Sequence, residues 1–363
     1  MLKDNIIFIV PSMKSGGLER VASVFLNTIV QLGYQNVVII NLSSAAPFYK
    51  LDDKIIYHSI SDKINNKNKL LRAISTRNWL RKTVKNYDSP KILSFGEGYN
   101  AFVIFSLLGL KIDLFVTNRA SPLSSLKGFR GLINPFFYKF TKGVIVQTNL
   151  AKEILKPKYK KVNFHVLANP IDMPSNLNDF QKKENIILNV GRIGGNKNQQ
   201  YLINYLQNIH FENHDWHLNF IGDGPNRAQL ESLISNSAVN EKVSVLGTKN
   251  QMQQHYELSK IFAFTSTSEG FPNVLLEAMS YGLPCISFDC IAGPADLIED
   301  GVDGFLIPMG NHKLYEKKLL ALITDEELRI TMSKNALKKA AKYDSFAVTK
   351  QLVNIISGNA NSN

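Results

Sequence analysis

The sequence predicts an α/β protein of two doubly wound, Rossmann-like β/α/β domains facing across a central cleft. Two observations carry that prediction. The chain opens with an apolar strand over Ile6–Val10, a glycine turn at Ser15-Gly16-Gly17, a helix over 18–32 and a second strand over 37–40. This is the β–loop–α–β unit of a parallel sheet with helices on its faces. The same order restarts at Ile186–Val190, with a glycine-rich turn over 191–198 and a helix over 199–207. Between the two, Asn169-Pro170-Ile171-Asp172 breaks the pattern, and a polar stretch to about residue 184 reads as a linker. A length of 363 residues also exceeds one ordinary core. In open parallel sheets ligands bind beyond the carboxyl ends of the strands, which makes the cleft the expected site.

The remaining elements follow from short, fully apolar runs, the pattern of strands buried on both faces. In the first half these lie at 91–95, 114–117, 144–147 and 163–167, with apolar helical runs between them. In the second they lie at 218–221, 243–246, 261–265 and 285–288. Residues 1–168 therefore form the first domain and 169–344 the second, with a disordered tail expected over 358–363.

Composition narrows the function classes. Apolar residues make up 44% of the chain, a globular value. Cys285 and Cys290 lie in apolar strand context and read as reduced core thiols, which excludes a secreted disulfide scaffold and fits the cytosol. No stretch approaches the roughly 20 apolar residues needed to span a bilayer, and Ile6–Val10 is too short for a leader. The net charge of +12 is uneven. Residues 1–170 carry 25 Lys and Arg against 9 Asp and Glu, whereas residues 171–363 carry 17 against 21. The positive field of the first half calls for an anionic partner: nucleic acid, an anionic membrane or a phosphorylated acceptor.

The segment from Ser268 to Pro284, SEGFPNVLLEAMSYGLP, is the most informative. Glu269 and Glu277 have seven residues between them, after a strand and around the start of a short apolar helix. Pro272 suits the first helical turn, and Gly282 and Pro284 stop the helix. Glu269 then lies beside the free N–H groups of Gly270 and Phe271 at a helix N-terminus. Carboxylates accept from sugar hydroxyls and exposed amides donate to sugar oxygens or an anion, so the element suits a polyhydroxylated ligand. The plain alternative is a surface loop with chance acidic residues. In the preceding loop, Gly-Arg-Ile-Gly-Gly-Asn-Lys-Asn, Arg192 and Lys197 add two cations and close-approach glycines to another helix start. That combination makes a diphosphate cradle, or else a solvated loop.

Other strand ends offer weaker candidates. Gly16 and Gly17 form a tight turn or let backbone approach a phosphate; no G-x-G-x-x-G fingerprint follows the strand. Gly222, in Gly-Asp-Gly-Pro, reads first as a turn, or else as part of a loop bordering the nucleotide. Arg119, after Asn118, suits a phosphate of the acceptor or leaving group, and Glu97 is a weaker candidate of the same kind. Either is equally read as a surface residue. Two segments suit an anionic membrane surface: eight Lys or Arg interleaved with apolar residues between Lys63 and Lys85, and the basic aromatic run from Leu126 to Phe140. Each reads equally as a core-facing helix with a basic outer face. No metal site is expected, since no Cys/His spacing fits zinc and no Asp-x-Asp pair is present.

Over essentially its whole length the chain resembles the retaining glycosyltransferases of family 4, with the two-domain GT-B fold. SEGFPNVLLEAMSYGLPCISFDCIAGPADLIEDGVDGFLIP matches that family's E-x7-E element and trailing strand, GRIGGNKN its Arg/Lys loop, NPID its domain junction and SGGLER its first glycine loop. The resemblance implies that Arg192 and Lys197 bind the donor diphosphate, and that Glu277 accepts from the ribose hydroxyls. It also implies that Glu269, with the amides of Gly270, Phe271, Asn273 and Val274, holds the donor sugar and pyrophosphate, that Gly17 faces the phosphates, and that a final helix over 345–357 packs back on the first domain. Many members carry a histidine in the first domain near the reacting sugar; here Asn118-Arg119 stands at the nearest place.

The expected activity is metal-independent, cofactor-free transfer of a sugar from a nucleotide donor, a UDP-sugar, with retention. The catalytic set is Arg192, Lys197 and Glu269. The expected acceptor is a polyprenyl-diphosphate-linked glycan at the inner face of a bacterial membrane, in O-antigen or capsule synthesis. The rivals are a sugar-nucleotide epimerase of the same fold and a basic nucleic-acid-binding protein. The second is disfavoured because the site motifs lie in the acidic half.

Overall fold

The structure, a computed structural model, describes residues 4–14, 16–60, 68–177 and 179–358. Ser15, Lys63, Lys67 and the tail beyond Gly358 lie outside the described residues. The chain divides into two compact units, one reaching to Asp172 and resuming at Asp344, the other Met173–Tyr343.

In the first unit the strands are β1 (Ile6–Val10), β2 (Val37–Asn41), β3 (Ile56–Ser59), β4 (Lys91–Ser94), β5 (Asp113–Asn118), β6 (Gly143–Val146) and β7 (Phe164–Val166). Its helices are α1 (Gly17–Gln31), α2 (Lys69–Val84), α3 (Glu97–Leu107), α4 (Pro122–Ser125), α5 (Gly128–Phe137) and α6 (Asn149–Leu155). The second unit holds β8 (Ile186–Val190), β9 (His217–Ile221), β10 (Val243–Val245), β11 (Ile261–Phe264), β12 (Cys285–Phe288) and β13 (Gly304–Ile307). Its helices are α7 (Gln200–Asn208), α8 (Arg227–Ser235), α9 (Gln253–Leu258), α10 (Asn273–Ser280), α11 (Pro294–Leu297), α12 (His312–Thr324) and α13 (Glu326–Ala341). The last helix, α14 (Ser345–Ile356), belongs to the first unit.

All ladders are parallel, in the orders β3-β2-β1-β4-β5-β6-β7 and β10-β9-β8-β11-β12-β13. Each order reverses direction once, between β1 and β4 and between β8 and β11. These are the switch points where loops diverge and leave room for a ligand. The apolar runs of β1 explain its central place: Ile6, Phe8 and Val10 enter one core and Ile7 and Ile9 the other, all essentially inaccessible. The edges are β3 and β7 in the first sheet and β10 and β13 in the second; β3, Ile-Tyr-His-Ser, lacks an apolar run, and its Ile56 is exposed.

Helix α14 starts at a genuine cap, Asp344, whose side chain accepts from the Phe346 and Ala347 amides. It packs on α1 and buries Val348, Leu352, Val353, Ile355 and Ile356 in the first unit's core. Each such burial contributes roughly 1.5–3 kcal/mol before chain entropy is subtracted. Helix α10 departs from expectation at its start. Pro272 lies outside the helix as its N-cap, not in the first turn, with φ −82° and ψ 81°. The Asn273 amide donates to the Phe271 carbonyl at 3.0 Å, so Pro272 is the centre of an inverse γ-turn. The helix ends as expected, with Gly282 at φ +69° and the Leu283 amide donating to the Ala278 carbonyl.

Candidate active site

In the second unit the loops after β8 and β11 meet because their strands are neighbours at the switch point. They are stitched together by backbone and side-chain bonds. The Thr265 hydroxyl donates to the Lys197 carbonyl at 2.7 Å, the Thr267 amide to the Asn196 carbonyl at 2.8 Å, and the Asn196 side chain to the Ser268 carbonyl. From the other flank Ser268 bridges Ile291, and the Glu269 amide donates to the Ile291 carbonyl at 3.3 Å. This frame brings the Lys197 ammonium to 2.6 Å from a Glu269 carboxylate oxygen, with both side chains mostly shielded from solvent. The Lys197 ammonium also lies 5.3 Å from the centre of the Phe264 ring. The pair is a charge-assisted hydrogen bond that fixes both groups. Arg192, on the same loop, is exposed, and its guanidinium has no partner among the described residues.

Glycines let the neighbouring loop close in. A Cβ on Gly222 would lie 2.0 Å from the Gly191 carbonyl oxygen, and one on Gly224 2.1 Å from that of Ile193. Gly222 also has φ +140°, so its identity is explained by backbone contact alone. On the β11 side the Gly270 and Phe271 N–H groups donate to nothing among the described residues, while that of Asn273 is taken by the γ-turn. Val274 stands in the first turn of α10. Glu277, almost fully buried, lies about one turn into that helix and accepts from the Tyr256 hydroxyl at 3.0 Å. Tyr256, on α9, stacks on Tyr281 with ring centres 5.3 Å apart. The Cys290 thiol is pushed up to about 12 by burial and by Glu269 nearby, so it is neutral and is no nucleophile.

In the first unit the loop after β1 carries Gly16, whose amide donates to the Tyr49 hydroxyl at 3.4 Å, and exposed Gly17 opens α1. The neighbouring strand ends, β4 and β5, supply Glu97 and Arg119. Glu97 is buried, and both its oxygens accept from the chain itself, from the Ala120 amide and the Ser125 hydroxyl, each at 2.8 Å. Burial raises its pKa and these bonds oppose the rise. Its carboxylate therefore holds the Arg119–Ala120 turn in place and offers little to a ligand. Arg119 stacks on Phe95 at 4.8 Å and Phe25 at 5.9 Å, and donates to the Asn169 side chain. No carboxylate pairs with it among the described residues, and burial lowers its pKa to about 9, which leaves it a cation at neutral pH.

The structure thus brings Lys197 together with Glu269, sets Arg192 free on the same loop, and pairs Glu277 with Tyr256. Sequence reasoning missed Tyr256, Thr265, Asn196 and Tyr49. These are isolated polar residues on loops or short helices, with no spacing signal to separate them from ordinary surface positions. No set of three or more His, Cys, Asp or Glu that could hold a metal gathers among the described residues, and no helix there is long and apolar enough to cross a membrane.

Comparison with known proteins places this geometry. Residues 175–339 match the family of Glycosyl transferases group 1. The chain is 29% identical over 350 residues to the amylovoran biosynthesis glycosyltransferase AmsD of Erwinia amylovora, covering 94% of this chain and 96% of that one. It is 26% identical to a Campylobacter jejuni α-1,4-N-acetyl-D-galactosaminyltransferase named for a diphosphoundecaprenol-linked acceptor, covering 97% and 98%. The crystal structure of Anabaena HepE with UDP and glucose superposes with a TM-score of 0.79 at 17% identity, over 97% of this chain and 99% of that one, and shows the shared GT-B fold. The match of residues 175–339 to Glycosyl transferases group 1 and the similarity to AmsD along nearly the whole chain support a glycosyltransferase.

Proposed function

We propose that the protein moves a sugar from a nucleotide-sugar, a UDP-sugar, to a polyprenyl-diphosphate-linked glycan, with the anomeric configuration retained. The place of action is the inner face of a bacterial cytoplasmic membrane, in the assembly of a surface polysaccharide such as O-antigen or capsule. The observation that carries this reading is the Lys197–Glu269 pair at the switch point of the second sheet, with the unpartnered Arg192 guanidinium on the same loop. Departure of a nucleoside diphosphate builds negative charge, and Arg192, Lys197 and the α10 N-terminus are placed to stabilise it. Glu269 orients Lys197 and offers its second oxygen to a sugar hydroxyl. Glu277, held by Tyr256, takes the ribose hydroxyls. The Gly270 and Phe271 amides donate to the pyrophosphate.

Both site carboxylates are engaged by neighbours, which favours front-face attack assisted by the leaving phosphate over a covalent glycosyl-enzyme. The unit ending at Asp172, with α14, would hold the acceptor, Arg119 serving its diphosphate; Met173–Tyr343 would hold the donor, with the Gly16 and Gly17 backbone offered to the donor phosphates. The acceptor class follows the name of the Campylobacter relative, and the donor class the UDP and glucose in HepE. The test is a nucleotide-sugar panel read by nucleotide release, with and without a diphosphoundecaprenyl glycan, followed by NMR of the product. Acceptor-dependent release in EDTA with a retained anomeric centre supports the reading. Inversion, a metal requirement, or isomerised donor without acceptor overturns it.

A further inference from the structure

Helix α5 leaves part of its apolar surface unburied. It buries Gly131 and Asn134, keeps Ile133 and Phe137 half-buried, and leaves Phe129, Leu132 and Phe136 outside. Phe129 and Leu132 are each 74% exposed and Phe136 is 58% exposed. The spacing of 129, 132 and 136 places all three on one helix face. Phe140, in the turn that follows, is also exposed. This exposure has a local cause: a Cβ on Gly131 would lie 2.2 Å from the Leu126 carbonyl oxygen, so that side of the helix is pressed against its own incoming chain.

The ridge continues across neighbouring helices. Phe136 meets Phe137 at 5.3 Å, Phe137 meets half-exposed Phe105 of α3 at 6.4 Å, and the Arg77 guanidinium of α2 lies 5.4 Å over Phe105. Beyond that contact the first half of α2 exposes Leu70, Leu71 and Ile74. The exposed charges beside the ridge have one sign. Residues 114–152 contain no Asp or Glu, and Lys127, Arg130 and Lys139 stand exposed beside the ridge. A pocket of about 460 Å³, lined by Lys127, Arg130, Phe129 and the buried, hydrogen-bonded Glu97, opens at its foot.

We infer that this face docks on an anionic lipid bilayer, with Phe129, Leu132 and Phe136 entering the acyl boundary and Lys127, Arg130 and Lys139 on lipid phosphates. Apolar ridges ringed by cations match the two layers of a bilayer surface, where hydrocarbon lies just beneath anionic headgroups. A protein interface core is instead depleted of charge. The inference deepens the membrane part of the proposed function by naming the face and rests on that reading. It also accounts for the excess positive charge of the first unit.

The test is flotation of the full chain with phosphatidylcholine vesicles, with and without phosphatidylglycerol. The wild type and the Leu258→Ser control should float with the anionic vesicles only. Phe129→Ser/Leu132→Ser should reduce flotation about tenfold or more, and Lys127→Glu/Arg130→Glu should abolish the preference for anionic lipid. A Phe129→Trp variant should shift its emission to the blue on the same vesicles. Transfer to a detergent-solubilised acceptor should be unchanged in every variant, which separates loss of docking from failure of the transferase reading. Equal flotation of wild type and double-serine variant overturns the inference. So does a wild-type dimer that the double variant turns into monomer without any flotation, because the ridge would then bind a second copy.

Discussion

The two sheets share a topology but treat the cation at their switch points differently. In the second unit Lys197 is held by Glu269 across 72 residues of sequence, in a loop stitched to its neighbour. In the first unit Arg119 lies between two phenylalanine rings and Asn169, with no carboxylate among the described residues. A paired cation is already neutralised and precisely aimed, so an incoming anion has to displace or share its partner. An unpaired one is held at the cost of desolvation, and an anionic ligand repays that cost on binding. Under the proposed function, the second unit would orient a leaving group and the first would capture an acceptor diphosphate, and the difference is consistent with that division.

The largest expected effect breaks the donor side. Lys197→Ala should lower kcat/KM for transfer by about 100- to 1,000-fold, the range for losing one charged transition-state contact, with circular dichroism unchanged. Turnover close to that of the wild type would leave the cradle to Arg192 alone. Next, Arg119→Met keeps the volume between the rings and removes the charge. Unfolding should be unchanged or up to about 1 kcal/mol more stable, while transfer falls about tenfold. A matching loss of stability and activity would make Arg119 a structural residue and erase the contrast.

The smallest effect uses a third buried cation as a control. Lys183 donates to the Tyr256 and Glu257 carbonyls at the end of α9, and burial lowers its pKa to about 8. Its folded pKa lies below the free-lysine value near 10.4, so between the two the unfolded chain binds more protons. Stability contributed at this site should therefore rise as pH increases from about 8 toward 10, by no more than about 1.4 kcal/mol per pH unit. Denaturant titrations of wild type and Lys183→Met across that range should show the slope only in the wild type. Transfer at neutral pH should change less than in either site variant.

Much of the fold was legible because strands buried on both faces are unbroken apolar runs. Ile6–Val10 and Ile186–Val190 stand where expected, and α14 begins at Ser345 behind its Asp344 cap. Strand β3 was not legible, since its Ile-Tyr-His-Ser has no continuous apolar run, which an edge strand does not need. Pro272 was misplaced by a residue or two because a γ-turn, a local choice between two allowed proline geometries, sets the start of α10. Among site candidates, charged residues in glycine loops were visible, while Tyr256 was not: nothing near it in sequence marks it as the partner of Glu277.

The sequence by itself determined the strand–turn–helix order, the residue types on each loop and the basic bias of the first half, because these depend on neighbours a few positions away. Only the tertiary structure decided which loops meet. Crossover connections place β11 beside β8 and leave β9 and β10 on the other side, and this brings Glu269 to Lys197. It also decided which way α5 faces. The apolar stripe at 129, 132 and 136 has the period of a core-facing helix, and the close approach of Gly131 to the Leu126 backbone turns that stripe outward.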